Sequence, residues 1–264
     1  MNQFDLDTAV TQIDENLWRG KLCAGWRIGT VPNGGYVLSV AGRVLREALP
    51  HGDPLSVSSF FLAPTELGAI DCRVEVMRLG GNTSHAVVKM YQKNELKVQV
   101  TAAYTNLAQL RGENWSKTAR PVYPHWDDCA VHASDTVEFR ERVELRFAEG
   151  GDVFSGAQPC GRAEFRGWIQ HRDGSSPDVM ALLMFADALP PPIFNVYGPL
   201  GWVPTIELTV QVRAHPAPGP VQARLYSQHL TEGVIEEDGE FWDCTGKLVA
   251  ISRQAAKLRV PKTS

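Results

Sequence analysis

The sequence predicts an α+β protein built as two units of one plan. Three observations predict it. A helical pattern followed by several strand-like runs occurs twice in the same order. Leu107 and Leu258 close the two series at equivalent points. The composition, 44% hydrophobic and 21% charged over 264 residues, supplies enough apolar side chains for a sizeable core and sits near average globular usage.

In the first unit Pro32-Asn33-Gly34-Gly35 opens a helix. Val37, Leu38, Ala41, Val44, Leu45 and Ala48 then recur at three- and four-residue steps, the spacing of one helical face. Pro50 lies just beyond. Strand-like runs follow at 56–62, 72–77, 85–92 and 97–104, separated by Pro64, Gly80-Gly81-Asn82 and Lys93-Asn94. In the second unit Ser176-Pro177-Asp178 provides a helix start: a capping hydroxyl, a proline at the first helical position and an acid in the first turn. The helix is expected to reach about Leu189, where Pro190-Pro191-Pro192 stops it. Strand-like runs follow at 205–213, 221–230, 233–242 and 247–258, with Asp238-Gly239 and Thr245-Gly246 marking hairpin turns. Further strands precede each helix, at about 13–24 and then at 137–148 and 160–170. A helix with one sheet wrapped on it is an α+β unit, and two such units in one chain would pack like a fused homodimer. The polar stretch 108–135, with Pro121 and Pro124, reads as a linker between units at 1–107 and 136–264.

The second helix differs from the first. Residues 179–186 are continuously apolar, the signature of a helix buried all round. The run ends on Asp187. A carboxylate there would face the negative end of its helix dipole and lose hydration, and both effects raise its pKa. The bland alternative is a turn residue pointing to solvent.

Several chemistries are excluded. The net charge of −4 argues against a general nucleic-acid binder. No apolar run is long enough for a membrane span, and the polar, acidic start is wrong for a signal peptide. The 5 cysteines are scattered and read as free thiols of a reducing, cytoplasmic setting. There is no Gly-x-Ser-x-Gly, no Gly-rich phosphate loop and no metal-ligand spacing among the 7 histidines.

The chain resembles double hotdog acyl-CoA thioesterases, the group that includes bacterial acyl-CoA thioesterase II. The strings that carry the resemblance are Pro32-Asn33-Gly34-Gly35-Tyr36-Val37, Ser59-Phe60-Phe61-Leu62-Ala63-Pro64, Gly81-Asn82-Thr83-Ser84, Phe185-Ala186-Asp187, Pro204-Thr205-Ile206 and Ser252-Arg253-Gln254. The resemblance implies a double hotdog fold. It also implies hydrolysis of acyl-CoA by a water held among Asp187, Thr205 and Gln254, with Asp187 as general base and with no metal or organic cofactor. A homo-oligomer is expected as well, because exposed sheet edges favour association.

The two halves complement each other. Superposing the helices puts Gly42 where the second half has Asp187, and Val179-Met180 where the first has Gly34-Gly35. Half one carries the glycine turn and half two the acid. The resemblance extends to single-hotdog thioesterases, which pair a helix-start glycine of one subunit with an acid from its neighbour, and it implies one working site and one decayed site in this chain. Gly34 and Gly35 would then offer helix-start N–H groups to the oxyanion; alternatively they only permit close packing. Alternation along 205–213 puts Thr205 on the face opposite Leu208, Val210 and Val212. Either that strand begins irregularly or the site opens on the polar side. Gln254 shares a face with Leu248, Ala250 and Ser252.

Blander readings fit other residues. Trp26, Trp168, Trp202 and Trp242 are expected in packing more than in an acyl pocket. Glu236-Glu237-Asp238 is expected at a solvated hairpin tip. Arg43 and Arg213 could meet coenzyme A phosphates, and His85 is given no catalytic role. Two other functions remain open: a non-catalytic acyl-CoA binding protein, and a hotdog-type hydratase or dehydratase. The second lacks the Asp-then-His string of such lyases, since Gly52-Asp53-Pro54-Leu55 has no downstream His in reach.

Overall fold

The computed structural model describes residues 2–117, 119–132, 137–149, 153–199 and 201–259. One antiparallel sheet of 14 strands organises them. Across it run Thr11–Asp14, Leu17–Leu22, Gly68–Leu79, Thr83–Gln92, Glu95–Thr105 and Asp53–Phe61, then Thr205–Val212, Leu248–Lys257, Val234–Trp242, Val221–Tyr226, Glu164–His171, Val143–Glu149 and Ala130–Val131, while Leu230–Thr231 pairs on Val234–Trp242 alone. The order in the second half mirrors that in the first. The mirror lies where Asp53–Phe61 pairs with Thr205–Val212, with Ser58 opposite Thr209. These two residues are 151 apart and their hydroxyls meet at 2.6 Å. Leu107 and Leu258 have the same separation, so a pseudo-twofold axis passes between Ser58 and Thr209.

The helix Gly34–Ala48 packs on Asp53–Phe61, Gly68–Leu79 and Thr83–Gln92. Its buried residues include Tyr36, Leu38, Val40, Ala41, Val44 and Leu45, so far more than one stripe is covered. What covers the remainder is the second helix, Val179–Phe185, every residue of which is buried. The two run antiparallel and very close. The Ser39 hydroxyl donates to Gly35 O at 2.9 Å and lies 3.0 Å from Met180 O. A Cβ on Gly35 would stand 2.6 Å from the Met184 carbonyl oxygen, and one on Gly42 would stand 2.8 Å from Met180 Sδ. The tryptophans Trp26, Trp168 and Trp242 are buried, with Trp26 stacked on Tyr36 at 5.1 Å. Among the described residues the cysteines are unpaired, and no helix is long and apolar enough to cross a membrane.

Several boundaries differ from expectation. The second helix starts later, because Asp178 itself is the cap: its Oδ1 accepts from the N–H groups of Met180 and Ala181 at 2.9 and 2.8 Å. It also ends at Phe185, well before the prolines. Asp187 N–H bonds Met184 O and Ala188 N–H bonds Phe185 O, three residues back, so the chain tightens into turns there. The segment 13–24 divides into two strands around Asn16 (φ 57°). The strand expected at 137–148 opens with a 3-10 turn, Glu138–Glu141. Asp238-Gly239 is no hairpin: it lies inside Val234–Trp242, paired on both sides. The turn is Thr245-Gly246 alone, closed by Asp243 Oδ1 accepting from the N–H groups of Thr245 and Lys247, both at 3.0 Å. Glu236-Glu237-Asp238 is therefore mid-strand, and Glu237 is only 4% exposed.

The helix contact separates the two glycines energetically. Gly35→Ala sets a methyl against backbone, which must move, and should cost about 1–3 kcal/mol, as overpacking does. Gly42→Ala meets side chains and no backbone, Met180 Sδ at 2.8 Å and Leu183 Cδ1 at 2.9 Å with Tyr104 Oη at 3.5 Å, and gains about 1 kcal/mol of helix propensity, so it should cost less than Gly35→Ala. Urea unfolding midpoints of both variants at matched slopes check this.

Candidate active site

Asp187 is built into the site by its neighbours from the other half. Asn33 caps the helix Gly34–Ala48, its Oδ1 accepting from Tyr36 N–H at 2.9 Å. The amide nitrogen of the same side chain donates to Asp187 O at 2.7 Å and to Asp187 Oδ2 at 2.9 Å. Gly35 N–H donates to Asp187 Oδ2 at 3.0 Å. A Cβ on Gly34 would lie 2.9 Å from the same oxygen, so a side chain there would push the carboxylate away. Burial raises the pKa of Asp187 to about 6, against the hydrogen bonds from Gly35, Gly34 and Asn33, which favour the ionised form. The sequence predicts Asp187 facing the negative end of its own helix. The structure instead turns the carboxylate to the positive N-terminus of the other one. Desolvation, not a helix dipole, is what raises its pKa. Close packing at Gly35 is present, and its N–H is spent on the Asp187 carboxylate.

The pseudo-symmetric place is filled. Where the first helix has Gly35, the second has Met180, and its sulfur packs against Gly42.

Asp187, Thr205 and Gln254 all line one cavity of about 620 Å³. Asn33, Gly34, Val37 and Phe61 reach it from the first half, and Leu189, Phe194 and Leu225 from the second. Thr205 gets there by irregularity. The pairing of Thr205–Val212 with Leu248–Lys257 shifts register between Thr205 and Glu207. Ile206 is the extra residue and is 44% exposed. The bulge reverses the parity of Thr205 and puts it on the face of Leu208. Gln254, 6% exposed, pairs with Leu208 on one side and Glu237 on the other.

Sequence reasoning missed three contributors. The sequence marks Asn33 only as part of a helix opening, although an Asn at a cap is a signal that its side chain is occupied with backbone. Glu237, expected at a solvated tip, lines the cavity. Trp202, expected in packing, is 46% exposed and borders the cavity. Beside it stand two exposed cations, Lys257 and Arg259. Arg43 is occupied elsewhere, with Asp5 at 2.6 Å and Asp178 at 3.2 Å.

Two antiparallel helix-and-sheet units joined edge to edge, with a cavity between them, define a double hotdog protein. The chain belongs to the acyl-CoA thioesterase family: residues 22–106 match the acyl-CoA thioesterase N-terminal domain and residues 117–258 the acyl-CoA thioesterase C-terminal domain. It is similar to the structure of a candidate thioesterase II from Thermobifida fusca, at 29% identity and TM-score 0.90, with 98% of each chain covered. It shares its fold with a hot dog protein of unknown function from Alicyclobacillus acidocaldarius, at 22% identity and TM-score 0.87, with 99% of each chain covered. Among curated proteins it is similar to an uncharacterized protein of Mycobacterium tuberculosis, at 24% identity over 92% of this chain and 91% of the other.

The burial of Asp187 has a pH signature. Its pKa is higher in the folded than in the unfolded chain, so folding is penalised once the group must ionise. The penalty is absent below the unfolded value near 3.8 and complete above the folded value of about 6. The stability of Asp187→Asn relative to wild type should therefore rise between those pH values and level off above them. Chemical denaturation of both proteins across that window measures it.

Proposed function

We propose that the protein hydrolyses acyl-CoA thioesters to free acid and coenzyme A by general-base activation of water. The observation that carries this reading is the Asp187 carboxylate, with its raised pKa, held on the wall of a largely apolar cavity by the helix start of the other half. A base with a pKa near 6 is ionised at neutral pH and still basic enough to take a proton from water.

The acyl chain occupies the apolar cavity and brings its thioester carbonyl to Asp187. Thr205 and Gln254 hold the water, so its orientational entropy is lost before the reaction. Asp187 takes one proton as the water oxygen bonds to the carbonyl carbon. The tetrahedral intermediate then re-forms the C=O bond and breaks the C–S bond, and the electron pair leaves on the coenzyme A sulfur, which takes the proton from Asp187 and so restores the base. Gly34 and Gly35 serve twice. Their N–H groups hold Asp187 while it is charged. Once it is protonated, its acceptor strength falls and they become available to the oxyanion. Lys257 and Arg259 supply positive charge where the coenzyme A phosphates would approach.

Thiol release from a panel of short, medium, long and aromatic acyl-CoAs tests the reading. Wild type should turn over at least one member, with a rate that rises as pH passes about 6. Asp187→Asn should lose about 10²–10⁴-fold, in line with general-base catalysis, together with the acidic limb. Thr205→Ala and Gln254→Ala should lower kcat more than they raise KM. Binding of the whole panel without thiol release would establish an acyl-CoA binding protein instead. Asn33→Ala removes a hydrogen bond that lowers the Asp187 pKa, so the acidic limb should move to higher pH; a limb that stays put would detach it from Asp187.

A further inference from the structure

The cavity contains a second buried carboxyl that the hydrolytic scheme does not use. Glu237 is 4% exposed and lines the cavity that holds Asp187 and Gln254. Its cross-strand partner is Gln254, so the two side chains project from neighbouring positions on one face of the sheet. Its Oε1 is buried and has no hydrogen-bond partner. The charges acting on it, after burial itself, are those of Asp187 and Glu236, both negative.

Surrounding cations are directed elsewhere. Arg253, from the strand Leu248–Lys257, pairs with Asp238 at 2.6 Å. Arg224, from Val221–Tyr226, pairs with Glu164 and Glu240. Arg140 donates to Ala188 O from both terminal nitrogens at 3.1 Å. Of the other groups around the cavity, Lys257 and Arg259 are exposed and His132 is buried. A carboxylate in this position would carry a buried charge without a counter-charge beside a second carboxylate, which costs several kcal/mol. Protonation removes that cost, and the pKa is pushed up to about 8. The neutral acid also gains a donor that the ion lacks.

We propose that Glu237 is a further catalytic residue, present as the neutral carboxylic acid, whose O–H stands beside Gln254 as a hydrogen-bond donor to the reacting thioester carbonyl. This rests on the thioesterase reading above. No proton leaves Glu237. Its hydrogen bond to the carbonyl oxygen strengthens as that oxygen gains charge and relaxes when the C–S bond breaks and the C=O bond returns. The arrangement also answers a need of the site, since in the resting geometry Gly35 N–H is committed to Asp187.

The test compares the full-length wild type with Glu237→Gln and Glu237→Ala at pH 7, by infrared spectroscopy and by thiol release. The spectra are taken free and with an acyl-CoA analogue in which a methylene replaces the thioester sulfur. Wild type should show a protonated-carboxyl stretch that Glu237→Gln lacks and that shifts when the analogue binds. Glu237→Gln keeps a donor and should stay within about tenfold of wild-type kcat, whereas Glu237→Ala should lose about 10²–10³-fold, as when an oxyanion donor is removed. The proposal is overturned if wild type shows no such band, if the analogue binds and leaves the band unmoved, or if Glu237→Ala turns over like wild type. Should Glu237→Ala fail to fold, the wild-type band and its shift still decide. If the analogue does not bind and no acyl-CoA is hydrolysed, the thioesterase reading falls and takes the donor role with it; failure of the Glu237 proposal alone leaves hydrolysis intact.

Discussion

The contact between Gly35 and the Met184 carbonyl is the constraint from which the rest of the arrangement follows. It lets two helices from different halves lie nearly backbone to backbone. That closeness buries both helices and brings the start of one against the end of the other. Free N–H groups at a helix start seek an acceptor, and a buried carboxylate seeks donors. Asn33, Gly35 and Asp187 satisfy each other across a sequence separation of 152 residues between Gly35 and Asp187.

The same contact explains why the pseudo-twofold symmetry stops short of the chemistry. The sheet is symmetric about Ser58 and Thr209, because backbone pairing tolerates many side chains. The helix crossing is not. One side needs a residue without a side chain so that an acid can approach, and the other is filled by Met180 against Gly42. Methionine suits that role, since its flexible thioether fills irregular gaps. The second crossing is thus a packed core with no acid in it. At the Gly35 crossing a costly buried acid remains, with its pKa raised and its charge only partly compensated. Glu237 adds to that tension from the strand paired with that of Gln254, because two carboxyls in one cavity do not readily ionise together.

Much of this could be read from the residues. The three- and four-residue spacing from Val37 to Ala48 gave one helix, and the apolar run from Val179 gave a second that had to be wholly enclosed. The strand runs and their order were legible because alternation and turn residues are local properties. The pairing of a glycine turn in one half with an acid in the other could be inferred by laying one half over the other. Thr205 was harder. Alternation put it on the wrong face, since a bulge at Ile206 leaves no reliable mark in the sequence. Glu237 was misread for a related reason. In Glu236-Glu237-Asp238 three acids in a row look like a solvated tip, and only strand parity, fixed by pairing on both sides, turns the middle one inward.

The sequence by itself determined the local elements and the residue types available for chemistry. Periodicity, prolines and caps act over a few residues, and short-range sterics and hydrogen bonding suffice to express them. Tertiary structure alone decided what each polar group faces. Asp187 meets the helix start of the other half, not the dipole of its own, and Asn33 is both cap and clamp. Those outcomes depend on contacts between segments far apart in the chain, where one residue of register or a few tenths of an ångström at Gly35 chooses between a buried acid with partners and one without.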